Sequence, residues 1–200
     1  MSETINYYNQ NAEAFIAGTI NVNMSDIQSR FLQEIPSGAL ILDLGCGSGR
    51  DSKLFSELGY RVTAVDGSPE LCKRAEVITG SPVRCLMFED LDYHEEFDAI
   101  WACASLLHVE KNQMGHILQL VSTALKPGGI LYVSYKYGNT ERESDGRIFS
   151  DYTEADIPML FNRNNQLLCY YWWVTIDARP DRSSEKWINI LCKKTFLNKP

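Results

Sequence analysis

The stretch Ala39-Leu-Ile-Leu-Asp-Leu-Gly-Cys-Gly-Ser-Gly-Arg-Asp-Ser52 decides the fold. An apolar run leads into Asp43, and three glycines follow at alternate positions, Gly45, Gly47 and Gly49. A helical pattern begins directly after them. This spacing reads as a strand, a tight turn and a helix, with a turn backbone bare enough for a ligand to lie on it.

Two nucleotide-type ligands compete for such a turn. The dinucleotide fingerprint is Gly-x-Gly-x-x-Gly, with a pyrophosphate on the helix N-terminus. Here the spacing is Gly-x-Gly-x-Gly, and Asp43 stands two residues before the first glycine. A carboxylate there repels a pyrophosphate and suits a cation. No Gly-Lys-Ser/Thr follows, which excludes a Walker loop. S-adenosylmethionine carries an ammonium and a sulfonium and no phosphate, so it fits the acid. Downstream, Arg61-Val-Thr-Ala-Val-Asp66 reads as a strand ending in a second acid, 23 positions after the first. That is where the next parallel strand of a βαβ unit ends, and an acid there accepts both ribose hydroxyls.

With those residues in place, the chain resembles the class I S-adenosylmethionine-dependent methyltransferases, in particular the small TehB-like, tellurite-resistance-type group. The similarity runs from Asp43-Leu-Gly-Cys-Gly-Ser-Gly-Arg-Asp51 through Phe97-Asp-Ala-Ile-Trp-Ala-Cys-Ala-Ser-Leu-Leu-His108 and Leu125-Lys-Pro-Gly-Gly129 to Gly146-Arg-Ile-Phe149. The resemblance implies an α/β fold, a Rossmann-like seven-stranded, mostly parallel sheet with helices on both faces and a C-terminal antiparallel hairpin. It also implies an enzyme that leaves S-adenosylhomocysteine as its product.

The chain's size and composition agree with this. Two hundred residues, 44% of them hydrophobic, suit one domain with a full core. We expect residues 1–37 to form an N-terminal helical lid and 38–200 the catalytic core. The net charge is −7, and no block of Lys or Arg marks a nucleic-acid stripe. Nucleic acid is therefore a less favoured partner than a small molecule. The six cysteines include no Cys-x-x-Cys pair and read as reduced thiols; no metal site is expected. The start, Met1-Ser-Glu-Thr, has neither a basic region nor an apolar run, and no stretch approaches a membrane span. A cytoplasmic monomer or homodimer is expected.

Strands are expected at 39–43, 61–65, 82–87, 97–102 and 129–136, and helices at 3–17, 25–35, 49–58, 69–78 and 112–124. Strand alternating with helix gives a parallel sheet. Residues 138–151 read as a loop. Residues 153–162 read as a helix opened by a Thr153/Asp156 capping box. Two β-rich runs, 167–177 and 186–194, are joined by a turn-rich segment and pair as a hairpin. Their aromatics, Tyr170, Tyr171, Trp172, Trp173 and Trp187, read as sheet core rather than a binding cage.

Ligands on open parallel sheets bind at the C-terminal strand ends. After the first strand, Asp43 faces the cofactor ammonium, and Gly45, Cys46 and Gly47 let the backbone approach its methionine part. By resemblance, Arg50 and Asp51 line the same pocket; Asp51 also suits a helix N-terminus on its own account. After the second strand come Asp66, Gly67 and Ser68, the last also a helix cap. After the third, the resemblance places Phe88 and either Glu89 or Asp90 around adenine, Glu89 being the one assigned. After the fourth, Ala102 and Ser105 are small enough for close approach. His108 is a candidate base, and a lone histidine at a strand-to-helix junction equally serves structure. The segment lacks the Asp/Asn-Pro-Pro-Tyr/Phe and Pro-Cys marks of DNA-base methylation.

Tyr7 and Tyr8, with Phe15, share a broad face of the first helix. They read either as packing or as a lid whose tyrosine rings attract the sulfonium; Tyr8 is assigned to the cofactor, and Tyr7 to the acceptor or to catalysis. Lys136, Arg142, Arg147 and Arg179 gather near the acceptor end of the sheet, either to hold an anion or to pair with nearby acids. The expected reaction is in-line methyl transfer to a small, anionic or soft acceptor: a thiol, chalcogen oxyanion or carboxylate. An RNA methyltransferase and a non-catalytic S-adenosylmethionine-binding module are the alternatives.

Overall fold

The computed structural model describes residues 3–162 and 165–196. The chain opens with two helices, α1 (Glu3–Thr19) and α2 (Ser25–Leu32). It then alternates: β1 (Leu40–Leu44), α3 (Arg50–Glu57), β2 (Arg61–Asp66), α4 (Pro69–Thr79), β3 (Val83–Cys85), β4 (Phe97–Ala102), α5 (Lys111–Ala124), β5 (Leu125–Lys136). A ribbon follows, β6 (Glu141–Ser144) and β7 (Arg147–Ser150). The chain closes with the short α6 (Ile157–Leu160), β8 (Leu167–Ile176) and β9 (Lys186–Lys194).

Seven strands form one sheet in the order β3-β2-β1-β4-β5-β9-β8. β1 to β5 run parallel; β9 is antiparallel to β5, and β8 to β9. The chain reverses its direction of travel across the sheet between β1 and β4, so their C-terminal ends flank an open crevice. Side chains alternate across the sheet. Leu42, Ile100, Leu131 and Val133 pack with α5 on one face. Ile41, Trp101 and Tyr132 pack with Phe31 of α2 and Phe55 of α3 on the other, Trp101 stacking on Tyr132 at 4.1 Å.

The local signals act as read. Ser68 caps α4 by accepting from the Leu71 N–H, with Pro69 next to it. The Thr153/Asp156 capping box is present. The helix it opens is shorter than 153–162, a single turn at Glu154–Asp156 followed by α6. The 25–35 helix stops at Leu32, and the expected loop 138–151 contains the β6–β7 ribbon. The aromatics of β8 depart from expectation. Tyr170, Tyr171 and Trp172 are exposed because β8 is the outer strand; only Arg30 and Glu34, at the end of α2 and just beyond it, reach the Tyr171 and Tyr170 hydroxyls among the described residues. Trp173 and Trp187 do pack against the cores. Among the described residues, no helix is long and apolar enough to cross a membrane.

Candidate functional site

The crevice at the strand ends opens into a cavity of about 910 Å³. Its floor is the glycine turn after β1, and its far wall is the β6–β7 ribbon and the loop before β9. α1 lies across its mouth. A narrower space of about 80 Å³ adjoins it between Asp66, Gly67, Met87, Phe88 and Ser105. That is room for two or three waters at ~30 Å³ each.

The two acids that flank the turn are both buried. Asp43 accepts from Ser52 Oγ at 2.5 Å. Burial, with the neighbouring Asp51 carboxylate adding to it, pushes its carboxyl up to about 7. The nearby Arg50 is committed to Asp51, so among the described residues no cation is bonded to Asp43, and an ammonium would supply one. Asp66 accepts from the Gly47 N–H at 2.9 Å and the Ser68 N–H at 2.8 Å. Burial raises its carboxyl, and these backbone bonds oppose the rise. The donor set thus fits a cationic ligand that also carries hydroxyls. Among the described residues, no cluster of three or more His, Cys, Asp or Glu is placed to hold a metal.

The bare backbone of the turn is used first by the protein itself. Gly45, at φ +78°, lies so close to β4's exit that a Cβ would sit 2.4 Å from Ser105 Cβ. Ser105 in turn donates to the Leu44 carbonyl at 2.6 Å. Gly47, at φ +54°, is covered by the Phe15 ring, 3.0 Å from where a Cβ would stand. Ile5 covers Gly67 in the same way. α1 is held there by Ser68 Oγ–Asn9 Oδ1 at 2.7 Å and by Arg50, which donates to the Thr19 carbonyl. Its backbone leaves helical geometry at Asn11, whose side chain donates to the Tyr7 carbonyl.

Tyr8 and His108 meet under α1. The Tyr8 oxygen is 2.7 Å from His108 Nε2, and His108 Nδ1 is 2.7 Å from the Ile148 carbonyl. A carbonyl only accepts, so Nδ1 carries the proton and Nε2 accepts from the phenol. Burial pulls the imidazole down to about 4 and pushes the Tyr8 phenol up to about 12. Both groups are neutral near pH 7, and neither ring nitrogen is free to take a substrate proton.

Asp51 is fully committed. It accepts two bonds from Arg50, one from Gln28 and one from the Trp101 indole, all at 2.7–2.9 Å. Its contribution is to fix α2, α3 and β4 together at the edge of the cavity. Cys46 is buried on the floor, and burial raises its thiol. Phe88 lines the narrow space with Met87, a residue that no motif or spacing singles out. Glu89 and Asp90 are exposed and line neither space. They sit on a single 3-10 turn whose inner position Phe88 takes. Ala102 is buried in β4, and the next residues, Cys103 and Ala104, reach the cavity instead.

All four acceptor-side cations reach the large cavity, each beside an acid. Lys136 pairs with Glu185 and lies over the Trp187 ring; burial lowers its ammonium to about 8. Arg142 pairs with Asp151. Arg179 makes a forked bond to Asp177, which also accepts from Trp187. Arg147 differs. Its guanidinium lies 3.9 Å from the centre of the Tyr7 ring and 5.1 Å from that of Phe149. Its one ion pair, at 3.3 Å, is to the exposed Asp145, it lies within hydrogen-bonding reach of the Tyr8 hydroxyl, and its Nε has no partner among the described residues.

Comparison with known proteins agrees with this geometry. Residues 42–133 match the family model described as a methyltransferase domain. A ubiquinone biosynthesis O-methyltransferase of Xanthomonas axonopodis pv. citri is 39% identical over 106 residues, 50% of this chain and 44% of that protein. The chain spans about half the length of the curated relatives it matches. Among solved structures, Burkholderia thailandensis 1,6-didemethyltoxoflavin-N1-methyltransferase, with its substrate and S-adenosylhomocysteine bound, superposes with a TM-score of 0.77 at 22% identity, over 96% of this chain and 85% of that one. A TehB-like S-adenosylmethionine-dependent methyltransferase of Corynebacterium glutamicum does so at 0.69 and 19%, over 96% and 98%. The chain has the class I methyltransferase fold, and residues 42–133 are similar to the methyltransferase-domain family.

Proposed function

We propose that the chain is an S-adenosylmethionine-dependent methyltransferase acting on a small acceptor that arrives already deprotonated. The observation that carries the reading is the pair of buried carboxylates, Asp43 and Asp66, on either side of the glycine turn. Asp43 takes the ammonium of the cofactor, and Asp66 exchanges its backbone partners for the ribose hydroxyls. Met87 and Phe88 border the base. When bound, S-adenosylmethionine supplies an electrophilic methyl group on a sulfonium.

The chain's own contribution is alignment and exclusion of water. Residues 1–37 act as a lid, with Tyr8 and Phe15 over the turn and Tyr7 stacked on Arg147 at the acceptor side. His108 offers no free base to the cavity, because it is bonded at both nitrogens and pulled down to about 4. A thiolate, chalcogen oxyanion or carboxylate needs none. Arg147, with the weakest partner of the four cations, holds the anionic group of the acceptor.

Calorimetry with S-adenosylmethionine tests the cofactor assignment. Native protein binds it, and Asp66→Ala weakens binding tenfold or more; equal affinities remove the ribose role. Transfer of a labelled methyl group to thiol and carboxylate acceptors, with an alcohol of the same skeleton as control, tests the acceptor class. Turnover of the alcohol alone overturns it.

A further inference from the structure

The two edges of the sheet are built differently. At one edge, β3 has only three residues, and its Arg84 pairs with Asp92 beside it. A short, charged strand is a protected edge. At the other edge, β8 runs for ten residues, Leu-Leu-Cys-Tyr-Tyr-Trp-Trp-Val-Thr-Ile, without one charge, glycine or proline. Its single irregularity is a bulge between Cys169 and Tyr171, so the half from Tyr171 to Ile176 is regular. In that half, Trp172, Val174 and Ile176 alternate on one face, opposite Ile190, Ile188 and Lys186 of β9. All three are exposed, at 43%, 41% and 59%.

We infer that β8 is a dimerisation edge, on which a second copy of this chain pairs antiparallel about a two-fold axis at Val174. Such a pairing is self-complementary, as an isologous interface requires. With Val174 facing its own counterpart, each Trp172 stands across from an Ile176, and each Trp173 from a Thr175. The first is an aromatic–β-branched pair of the kind that stabilises sheets. Centring on Val174 also leaves the bulge outside the paired stretch.

Charge and area favour a copy of the chain as the occupant. Each chain has a net charge of −7, and β8 is an uncharged face on which two such chains meet without repulsion. Four large apolar side chains of the paired half, Tyr171, Trp172, Val174 and Ile176, are exposed. At about half exposure a large side chain offers on the order of 100 Å². With the strand backbone, the sum exceeds roughly half of the ~800 Å² per partner of a standard interface, the size of a reversible dimer. The interface would also bear on the cavity, because β8 is followed directly by Asp177, which anchors Arg179 and Trp187.

Sedimentation of the native chain should give twice its 22.7 kDa. Trp172→Lys and Ile176→Lys should weaken the dimer at least tenfold, with Val77→Lys, an exposed apolar site on α4, leaving it intact. Val174→Cys adds no charge and reads the register. Under mild oxidation it should form a thiol-reducible dimer that the native chain, with its own exposed Cys85, does not form. Thr175→Cys should not cross-link. A native monomer at every concentration overturns the inference, as does a dimer indifferent to both lysine substitutions or a folded Val174→Cys dimer that fails to cross-link. A monomer that binds anionic phospholipid vesicles through this strand overturns it as well.

Discussion

The Tyr8 hydroxyl donates to His108 Nε2 from a hundred positions away, and through His108 the first helix is tied to the β6–β7 ribbon. The bond exists only with a neutral imidazole. His108 drops from its ordinary 6.5 to about 4 on folding, because burial disfavours the cation. Its contribution, about 3 kcal/mol, is fully present above pH 6.5 and is lost as the pH falls towards 4. Asp43 acts in the opposite sense, since its rise from 3.8 to about 7 makes the fold gain stability as the pH falls through that range. Comparison of the native chain with His108→Asn separates the two. The gap in melting temperature between them should narrow from pH 6.5 to 4; a constant gap would refute the neutral-histidine assignment.

Asp43 also gives cofactor binding a pH dependence. A cationic ligand binds its ionised form, so affinity should be flat above pH 7 and weaken about tenfold per unit below it. Asp43→Asn should bind weakly and without this slope. Calorimetry across pH 5.5–8 checks both, and a flat native profile removes the ammonium role.

The carboxylate of Asp51 holds Arg50, Gln28 and Trp101 together in the interior. Asp51→Asn leaves a guanidinium without its ion partner and should cost about 3 kcal/mol, read by urea unfolding. Cofactor affinity of the folded variant should change less than threefold. A large affinity loss at normal stability would make Asp51 a ligand contact.

Arg147→Ala should raise the acceptor KM about tenfold and leave the cofactor KM within twofold. The residue stacks on Tyr7 and lines the large cavity, which Asp66 does not, and its one acid partner is exposed. Steady-state kinetics at saturating second substrate distinguish this from the reverse pattern, which would put Arg147 on the cofactor side.

The fold was legible from residues 39–66, because a strand, a glycine turn, a helix and an acid at the next strand end are local signals at fixed spacing. The β6–β7 ribbon was not. Its first strand, Glu-Arg-Glu-Ser, is exposed at every position and carries no apolar alternation. It is held from outside, by Thr4 and His108 on Ile148 and by Ser150 on Val109. The cations at 136, 142, 147 and 179 were visible as a group, but two of their partners were not. Asp151 reaches Arg142 across the β6–β7 ribbon, and Glu185, on the loop before β9, reaches Lys136 through the sheet. β8 misled for a topological reason. A strand apolar on both faces reads as buried, and only the strand order puts it at an edge.

The way α1 rests on the glycine turn has a kinetic consequence. The space beside Asp66 holds only a few waters while Ile5 and Phe15 cover Gly67 and Gly47. On the lid reading proposed above, a nucleoside enters after that segment lifts. Cofactor association should therefore saturate with concentration at the lifting rate, and product departure should wait for the same event. Exchange should then be set by the first helix. Loosening it, at Asn11 or through Asn9 on Ser68, should speed exchange while weakening the complex.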